Sequence, residues 1–261
     1  MSQTEQFVKP AVLITGGAVR LGRAIALDLA QQGFDIALHY NSSETAAAET
    51  AELIRSYQVQ CELFQHNLAH VEGLEMLVQN VKRKFPHLGV LINSASSYKQ
   101  TSILETSPEI FDTQMATNLR APFFLTQAFA KVCQTGNIIN IIDNKIGFNQ
   151  YHYSAYLLAK KSLAEFTKMA SLELAPHIRV NGISPGVVLP AESRSPEYLA
   201  WRVQAIPLKK QGSPSHITQT IFYILENSFV TGQIFTIDGG ESIATVGLNT
   251  GNFPAGNPNK E

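Results

Sequence analysis

The sequence predicts an α/β protein built on a doubly wound parallel sheet of seven strands with helices on both faces. Two observations lead there. Short apolar runs alternate with segments of helical periodicity along almost the whole chain. The runs also lack the in-and-out alternation of a half-exposed strand. Each must therefore be covered on both sides, as the strands of a parallel sheet are.

Ala11 to Thr15 is the first strand, ended by Gly16-Gly17. Arg23 to Gln32 follows at helical spacing and Gly33 stops it, since glycine readily adopts the left-handed conformation that closes a helix. Asp35 to Tyr40 is the second strand and Glu44 to Tyr57 an Ala-rich helix. Gln60 to Gln65 and Val90 to Asn93 are strands three and four, separated by a helix from Val71 to Phe85 that halts before Pro86. A long helix from about Glu109 to Cys133 bends at Pro122, which has no N–H to give. Asn137 to Ile142 is the fifth strand, Ser154 to Leu174 a helix, and Ile178 to Ile183 the sixth strand. Ser215 to Glu226 and Ile234 to Ile237 complete the pattern as helix and strand. Pro185 to Pro214 interrupts the rhythm with a polar stretch rich in Pro and Ser. A segment of that length reads as a lid or substrate loop, at about 186–213. Gly, Asn and Pro dominate Gly247 to Glu261, the composition of a flexible tail. Residues 1–246 are thus read as one domain.

Composition narrows the function classes. The 261 residues are 44% apolar and 16% charged, as in a soluble globular protein, and the net charge is −1 with no long basic run. A nucleic-acid or anionic-membrane surface is not expected. Two cysteines, Cys61 and Cys133, are too few for a disulfide framework or a zinc site, which fits a reducing, cytoplasmic compartment. The seven histidines do not cluster with Cys or acids at metal-ligand spacing, so no metal is expected. Met1 to Lys9 lacks the apolar stretch of a secretion signal, and no run reaches membrane-spanning length.

Thr15-Gly16-Gly17-Ala18-Val19-Arg20-Leu21-Gly22 joins the first strand to the first helix. Glycines there let the backbone approach a pyrophosphate while the amides of the helix N-terminus face its charge. This is the order of a Rossmann-type dinucleotide site. Arg20 stands where most proteins of this layout carry a second glycine, and its guanidinium would reach a cofactor phosphate or an anionic part of the substrate. An NAD site usually places an acid about 20 residues further on. Here the second strand ends His39-Tyr40-Asn41-Ser42-Ser43, with no acid before Glu44. Nothing then repels a 2′-phosphate, and Asn41 and Ser42 can donate to it, so NADPH is the expected cofactor.

Tyr156 and Lys160 form a Tyr-x-x-x-Lys, and of the 8 tyrosines only Tyr156 has Lys at that spacing. Four residues apart on a helix, phenol and ammonium share a face. Lys160 is expected to lower the Tyr156 pKa and make the phenol a proton donor. The motif alone is weak evidence. Its company gives it weight: the glycine turn, and the apolar run Asn137 to Ile142 that delivers Asp143 thirteen residues before Tyr156.

Together these residues resemble the short-chain dehydrogenase/reductase family over nearly the whole chain. The resemblance rests on the Thr15 to Gly22 turn, Asn93 to Ser96, Asn118, Tyr156 with Lys160, and Pro185-Gly186. In detail it is most similar to the pteridine reductases, including the dihydromonapterin or alternative dihydrofolate reductase branch. Three features carry that finer likeness: Arg20 in the turn, Asn93-Ser94-Ala95-Ser96-Ser97-Tyr98 in place of the common Asn-Asn-Ala-Gly, and Asp143 where most members have a catalytic Ser. The resemblance implies a catalytic set of Asp143, Tyr156, Lys160 and Asn118, with Asn118 linked to Lys160 through water or backbone. It implies cofactor contacts from Gly16, Arg20, Leu21, Gly22, His39, Tyr40, Asn41, Ser42, Asn67, Leu68, Asn93, Ala95, Ser96, Tyr156, Lys160, Pro185, Gly186 and Val188. Asn67 replaces the Asp that commonly touches adenine. Substrate contacts are implied for Arg20, Ser96, Tyr98, Asp143 and Tyr156, with Tyr98 stacking on the pterin and Ser96 bridging cofactor phosphate or pterin. Phe148, Tyr153 and His152 are further candidates near the pocket, and Tyr198 and Trp201 are lid candidates. A homotetramer is implied as well.

The chemistry agrees with the substitution. A carboxylate would repel the oxyanion formed from a ketone, whereas reduction of a C=N bond requires protonation of a ring nitrogen. The leading expectation is therefore NADPH-dependent reduction of a dihydropteridine, with dihydrofolate and dihydromonapterin as alternative substrates. A short-chain carbonyl or 3-oxoacyl reductase is the second reading. A non-catalytic dinucleotide sensor is the third, and the intact Tyr156 and Lys160 weigh against it.

Overall fold

The computed structural model describes residues 9–189 and 195–244. The expected tail at Gly247 to Glu261 and part of the expected lid lie outside them. The chain runs β1 (Ala11–Ile14), α1 (Arg20–Gln31), β2 (Ile36–Tyr40), α2 (Glu44–Ser56), β3 (Cys61–Gln65), α3 (Leu74–Lys84) and β4 (Leu88–Asn93). It continues with α4 (Pro108–Met115), α5 (Ala121–Val132), β5 (Gly136–Ile141), α6 (Ser154–Leu174) and β6 (Ile178–Pro185). The last elements are α7 (Pro196–Arg202), α8 (Pro214–Glu226) and β7 (Ile234–Ile237). All seven strands pair in parallel, in the order β3-β2-β1-β4-β5-β6-β7. The strand pattern and the Rossmann-type architecture are as the sequence predicts.

The in-and-out geometry of each strand divides the core in two. Along β1, Val12 and Ile14 pack with Ile25 and Leu29 of α1, Ala51 and Ile54 of α2, and Ile217 and Ile221 of α8. Ala11 and Leu13 point the other way, onto Val78 and Val81 of α3 and Leu125 and Phe129 of α5. A strand apolar at every position is what two covering layers require. The order reverses between β1 and β4, so their C-terminal ends diverge and leave a crevice there.

Two expected elements differ. The helix after β1 starts at Arg20 and not at Arg23, because the turn is tighter than its length suggests. The long helix is not one bent rod but α4 and α5 joined by a π-helical turn, Ala116–Arg120. Pro122 cannot donate to the carbonyl four residues back, and the widened turn just before it accommodates that loss. The expected lid contains a helix, α7. Its N-terminus is capped by the Ser195 side chain, which accepts from the Tyr198 N–H at 3.2 Å. Among the described residues no helix is long and apolar enough to cross a membrane.

Candidate active site

The crevice at the strand ends opens into a cleft of about 1020 Å³. It is wide enough for a dinucleotide and a second small molecule. Its floor is the turn after β1. Gly16 has a φ of +64°, and a Cβ there would stand 2.9 Å from the Ala95 Cα. A Cβ on Gly22 would collide with the Gly16 carbonyl oxygen. Glycine at both positions is thus a steric requirement of the turn. Val19 at the N-cap of α1 makes no side-chain capping bond, so among the described residues the first N–H groups of the helix remain available to an anion. Arg20 adopts a φ of 52°, the left-handed region that explains why glycine is common at this position. Its guanidinium donates to the Leu189 carbonyl oxygen at 2.7 Å and so bridges the cleft to the loop after β6.

His39 holds the turn from below. The Gly16 N–H donates to His39 Nδ1 at 3.2 Å, so Nδ1 carries no proton. Nε2 must then be the protonated nitrogen, donating to the His66 carbonyl oxygen at 2.9 Å. Burial pushes the His39 pKa down to about 4 and outweighs the His66 hydrogen bond, which favours the cation. The ring is a neutral spacer between three segments of chain.

Asp143 follows β5 and caps the short turn Asn144–Gly147, its Oδ1 accepting the Lys145 N–H at 2.9 Å. The Tyr156 hydroxyl donates to Asp143 Oδ2 at 2.8 Å. Burial and the Asp143 carboxylate push the Tyr156 pKa well above its ordinary 10. This overturns the expectation that Lys160 acidifies Tyr156. Lys160 does share a helix face with it, but its ammonium donates to the Ile141 carbonyl oxygen at 2.8 Å and lies 5.9 Å from the Tyr156 ring centroid. Burial lowers the Lys160 pKa to about 8, and Asp143 opposes that shift. A phenol hydrogen-bonded to a carboxylate stays protonated.

Of the residues expected to contact cofactor or substrate, all line the cleft except Asn93, and of the expected catalytic set all do except Asn118. Asn93 turns inward and donates to Asn140 Oδ1 at 2.8 Å, and Asn140 in turn donates to Thr167 Oγ1 at 2.9 Å. An amide at the last residue of a buried strand needs a partner more than it needs the cleft. Asn118 lies in the π-helical turn. Its Oδ1 accepts from Ser96 Oγ at 2.7 Å and from the Ser97 N–H at 3.2 Å, while Nδ2 donates to the Ser97 carbonyl oxygen at 2.8 Å. It positions the loop that carries Ser96 and Tyr98. Tyr198 lines the cleft, whereas Phe148, His152, Tyr153 and Trp201 do not.

The structure adds residues that local sequence did not single out. Thr113, Thr117, Lys145, Gln150, Leu199 and Arg202 also line the cleft. Arg202 of α7 forms a buried ion pair with Glu241, whose other oxygen accepts from Asn144 Nδ2 at 2.9 Å. The helix over the cleft is thereby tied to the turn that carries Asp143. No signal in the sequence links positions so far apart.

The electrostatics fit a phosphorylated dinucleotide. Asp143 is the one carboxylate among the described lining residues, against the cations Arg20, Lys145, Lys160 and Arg202. Past β2 the lining is Tyr40, Asn41, Ser42 and Ser43, with no acid to repel a 2′-phosphate. Among the described residues, no group of three His, Cys, Asp or Glu could hold a metal ion.

Comparison with known proteins agrees with this geometry. The family model "Enoyl-(Acyl carrier protein) reductase" matches residues 17–242. A 3-oxoacyl-[acyl-carrier-protein] reductase of Synechocystis sp. is 31% identical over 238 residues, covering 87% of this chain and 95% of that protein. Among solved structures, the alternative dihydrofolate reductase 1 FolM of Brucella suis, in complex with NADP, superposes with a TM-score of 0.86 at 31% identity. That match covers 91% of this chain and 96% of the other. Acetoin dehydrogenase of Enterobacter cloacae superposes with a TM-score of 0.83 at 25% identity, over 94% and 100% of the two chains.

Proposed function

The chain belongs to the short-chain dehydrogenase/reductase family, and from that premise we propose that it is an NADPH-dependent reductase of dihydropterins. One observation carries the reading: the phenol of Tyr156 is held at 2.8 Å by a carboxylate, not by a neutral hydroxyl. Residues 1–246 would form its single catalytic domain.

NADPH, when bound, supplies the hydride. The turn from Gly16 to Gly22 and the free N-terminus of α1 would hold its pyrophosphate, and Asn41 and Ser42 its 2′-phosphate. The protein's own task is the proton. Hydride arriving at the carbon of a C=N bond makes the nitrogen strongly basic. That nitrogen can then draw a proton from the Asp143–Tyr156 pair although the phenol is a weak acid at rest. A ketone would place a developing oxyanion against the same carboxylate, which costs stabilisation where an oxyanion site must supply it. Lys160, fixed by Ile141, keeps a cation beneath the pair. Tyr98 offers a half-exposed ring for a bicyclic substrate to stack on.

Some sequence relatives favour a second reading, reduction of a 3-oxoacyl thioester. NADPH oxidation with dihydrobiopterin, dihydromonapterin, dihydrofolate and a 3-oxoacyl thioester, run side by side, separates the two. Turnover of at least one pterin, with the thioester slow, is expected. Turnover of the thioester alone would overturn the pterin reading and leave the family assignment intact.

We also infer that the protein works as a homotetramer in the cytoplasm. Leu158, Met169 and Leu172 are exposed on α6 and, at this spacing, share one outward face. Sedimentation at the mass of four chains is expected for the wild type, and a smaller particle for Leu172→Lys. A monomer mass for the wild type would refute the assembly.

A further inference from the structure

One more charged group stands close to Asp143, and the proton relay does not use it. Lys145 lies two residues on, and its own N–H is pinned by Asp143 Oδ1. Its side chain turns along the cleft. The ammonium donates to the Tyr98 hydroxyl at 2.7 Å and lies 4.9 Å and 5.0 Å from the ring centroids of Tyr98 and Tyr153. Those two rings stack at 4.9 Å, and Tyr98 meets Tyr156 edge-on at 4.8 Å. The ammonium is therefore held at the substrate end of the cleft, beside the reacting pair.

The other cations of the cleft have evident employment. Arg20 spans from the cofactor turn to Leu189, Lys160 is buried against Ile141, and Arg202 is neutralised by Glu241. Lys145 differs. Among the described residues no carboxylate lies within ion-pair distance of it. Ring faces and a phenol oxygen attract an ammonium without cancelling its charge, and one bond to Tyr98 leaves further N–H donors unused. A cation fixed beside aromatic rings, with no ion-paired carboxylate among the described residues, is suited to an anion brought in from outside.

We propose that Lys145 selects substrates whose side chain carries an anionic oxygen group, a carboxylate or a phosphate, while the ring stacks on Tyr98. The proposal rests on the pterin reading only for the identity of that ring. Three dihydropterins test it: one with a carboxylate tail (dihydrofolate), one with a phosphate tail (dihydroneopterin phosphate), and one with a neutral hydroxyalkyl tail (dihydrobiopterin). The readout is the ratio of kcat/KM for a charged substrate over the neutral one. Lys145→Met keeps an unbranched apolar side chain at the position and removes the charge. It should lower the ratio by about tenfold for at least one charged arm, the size of a lost charge-assisted contact. The arm that responds identifies carboxylate or phosphate. Lys145→Arg should largely restore the ratio, and added salt should lower it in the wild type. Equal losses on all three arms would overturn the proposal and leave Lys145 as a support for Tyr98. If the wild type reduces no pterin, the ring identity has failed, and acetoacetate against methyl acetoacetate repeats the same comparison. An unchanged ratio there overturns the assignment of Lys145 too.

Discussion

Asp143→Ala is expected to lower kcat/KM for a dihydropterin by about two to three orders of magnitude, the usual worth of a positioned acid–base group. The loss should fall on kcat, since the carboxylate bonds Tyr156 and not the cofactor turn. Two companion variants make the result interpretable. Asp143→Asn keeps an acceptor for the Lys145 N–H and preserves the turn, yet cannot carry the proton. It should be nearly as slow as the alanine variant. Asp143→Ser installs the neutral hydroxyl that a ketone reductase needs and should raise the rate on a 3-oxoacyl thioester while the pterin rate stays low. Steady-state NADPH oxidation measures all three, and the NADPH dissociation constant serves as control. A pterin rate unchanged in Asp143→Ala would sink the relay. A thioester rate falling in Asp143→Ser would sink the explanation of why a carboxylate stands there.

The second large effect is on stability in acid. In the folded protein His39 takes a proton only near pH 4, whereas an ordinary histidine does so at 6.5. Between those values the unfolded chain binds more protons than the folded one, so stability falls as pH falls. A shift of this size corresponds to about 3 kcal/mol, all of it present above pH 6.5 and lost by about pH 4. The structural reason is concrete. A proton on Nδ1 would face the Gly16 N–H, setting donor against donor beneath the cofactor turn. The stability of the wild type to denaturant should therefore weaken steeply from pH 6.5 down to 4, while the folded ring stays neutral until about pH 4 and leaves the cofactor turn intact across that window. His39→Gln, which does not titrate, should be less stable at pH 7 but much flatter across that window. Parallel declines in the two proteins would assign the acid sensitivity to other groups.

The resemblance to a pteridine reductase was legible because its signals are local. Tyr156 and Lys160 meet by helical spacing alone, and Asp143 ends an apolar run. The glycines of the turn are legible for the same reason, since a Cβ at Gly22 strikes its own neighbourhood of chain. Other expectations failed where a side chain had competing partners. Asn93 reads like a cleft residue, but Asn140, 47 positions away, takes its amide. The direct partners of Asn118 lie in the Ser96–Ser97 loop, 22 and 21 positions back, which local sequence does not announce. The expected acidification of Tyr156 failed through burial, which removes the water that would stabilise a phenolate.

By itself, the sequence determined the order of strands and helices, the doubly wound parallel sheet and the chemical types gathered at its strand ends. Hydrophobic period and turn residues are local properties that survive without a fold. Tertiary structure alone decided which of those groups are charged and which pair. It set the neutral His39 between Gly16 and His66, the protonated Tyr156 on Asp143, Arg202 on Glu241, and Lys145 beside two rings with no ion-paired carboxylate among the described residues. Each depends on distance and desolvation between segments far apart in the chain. Packing sets both quantities, and neither has a local signature.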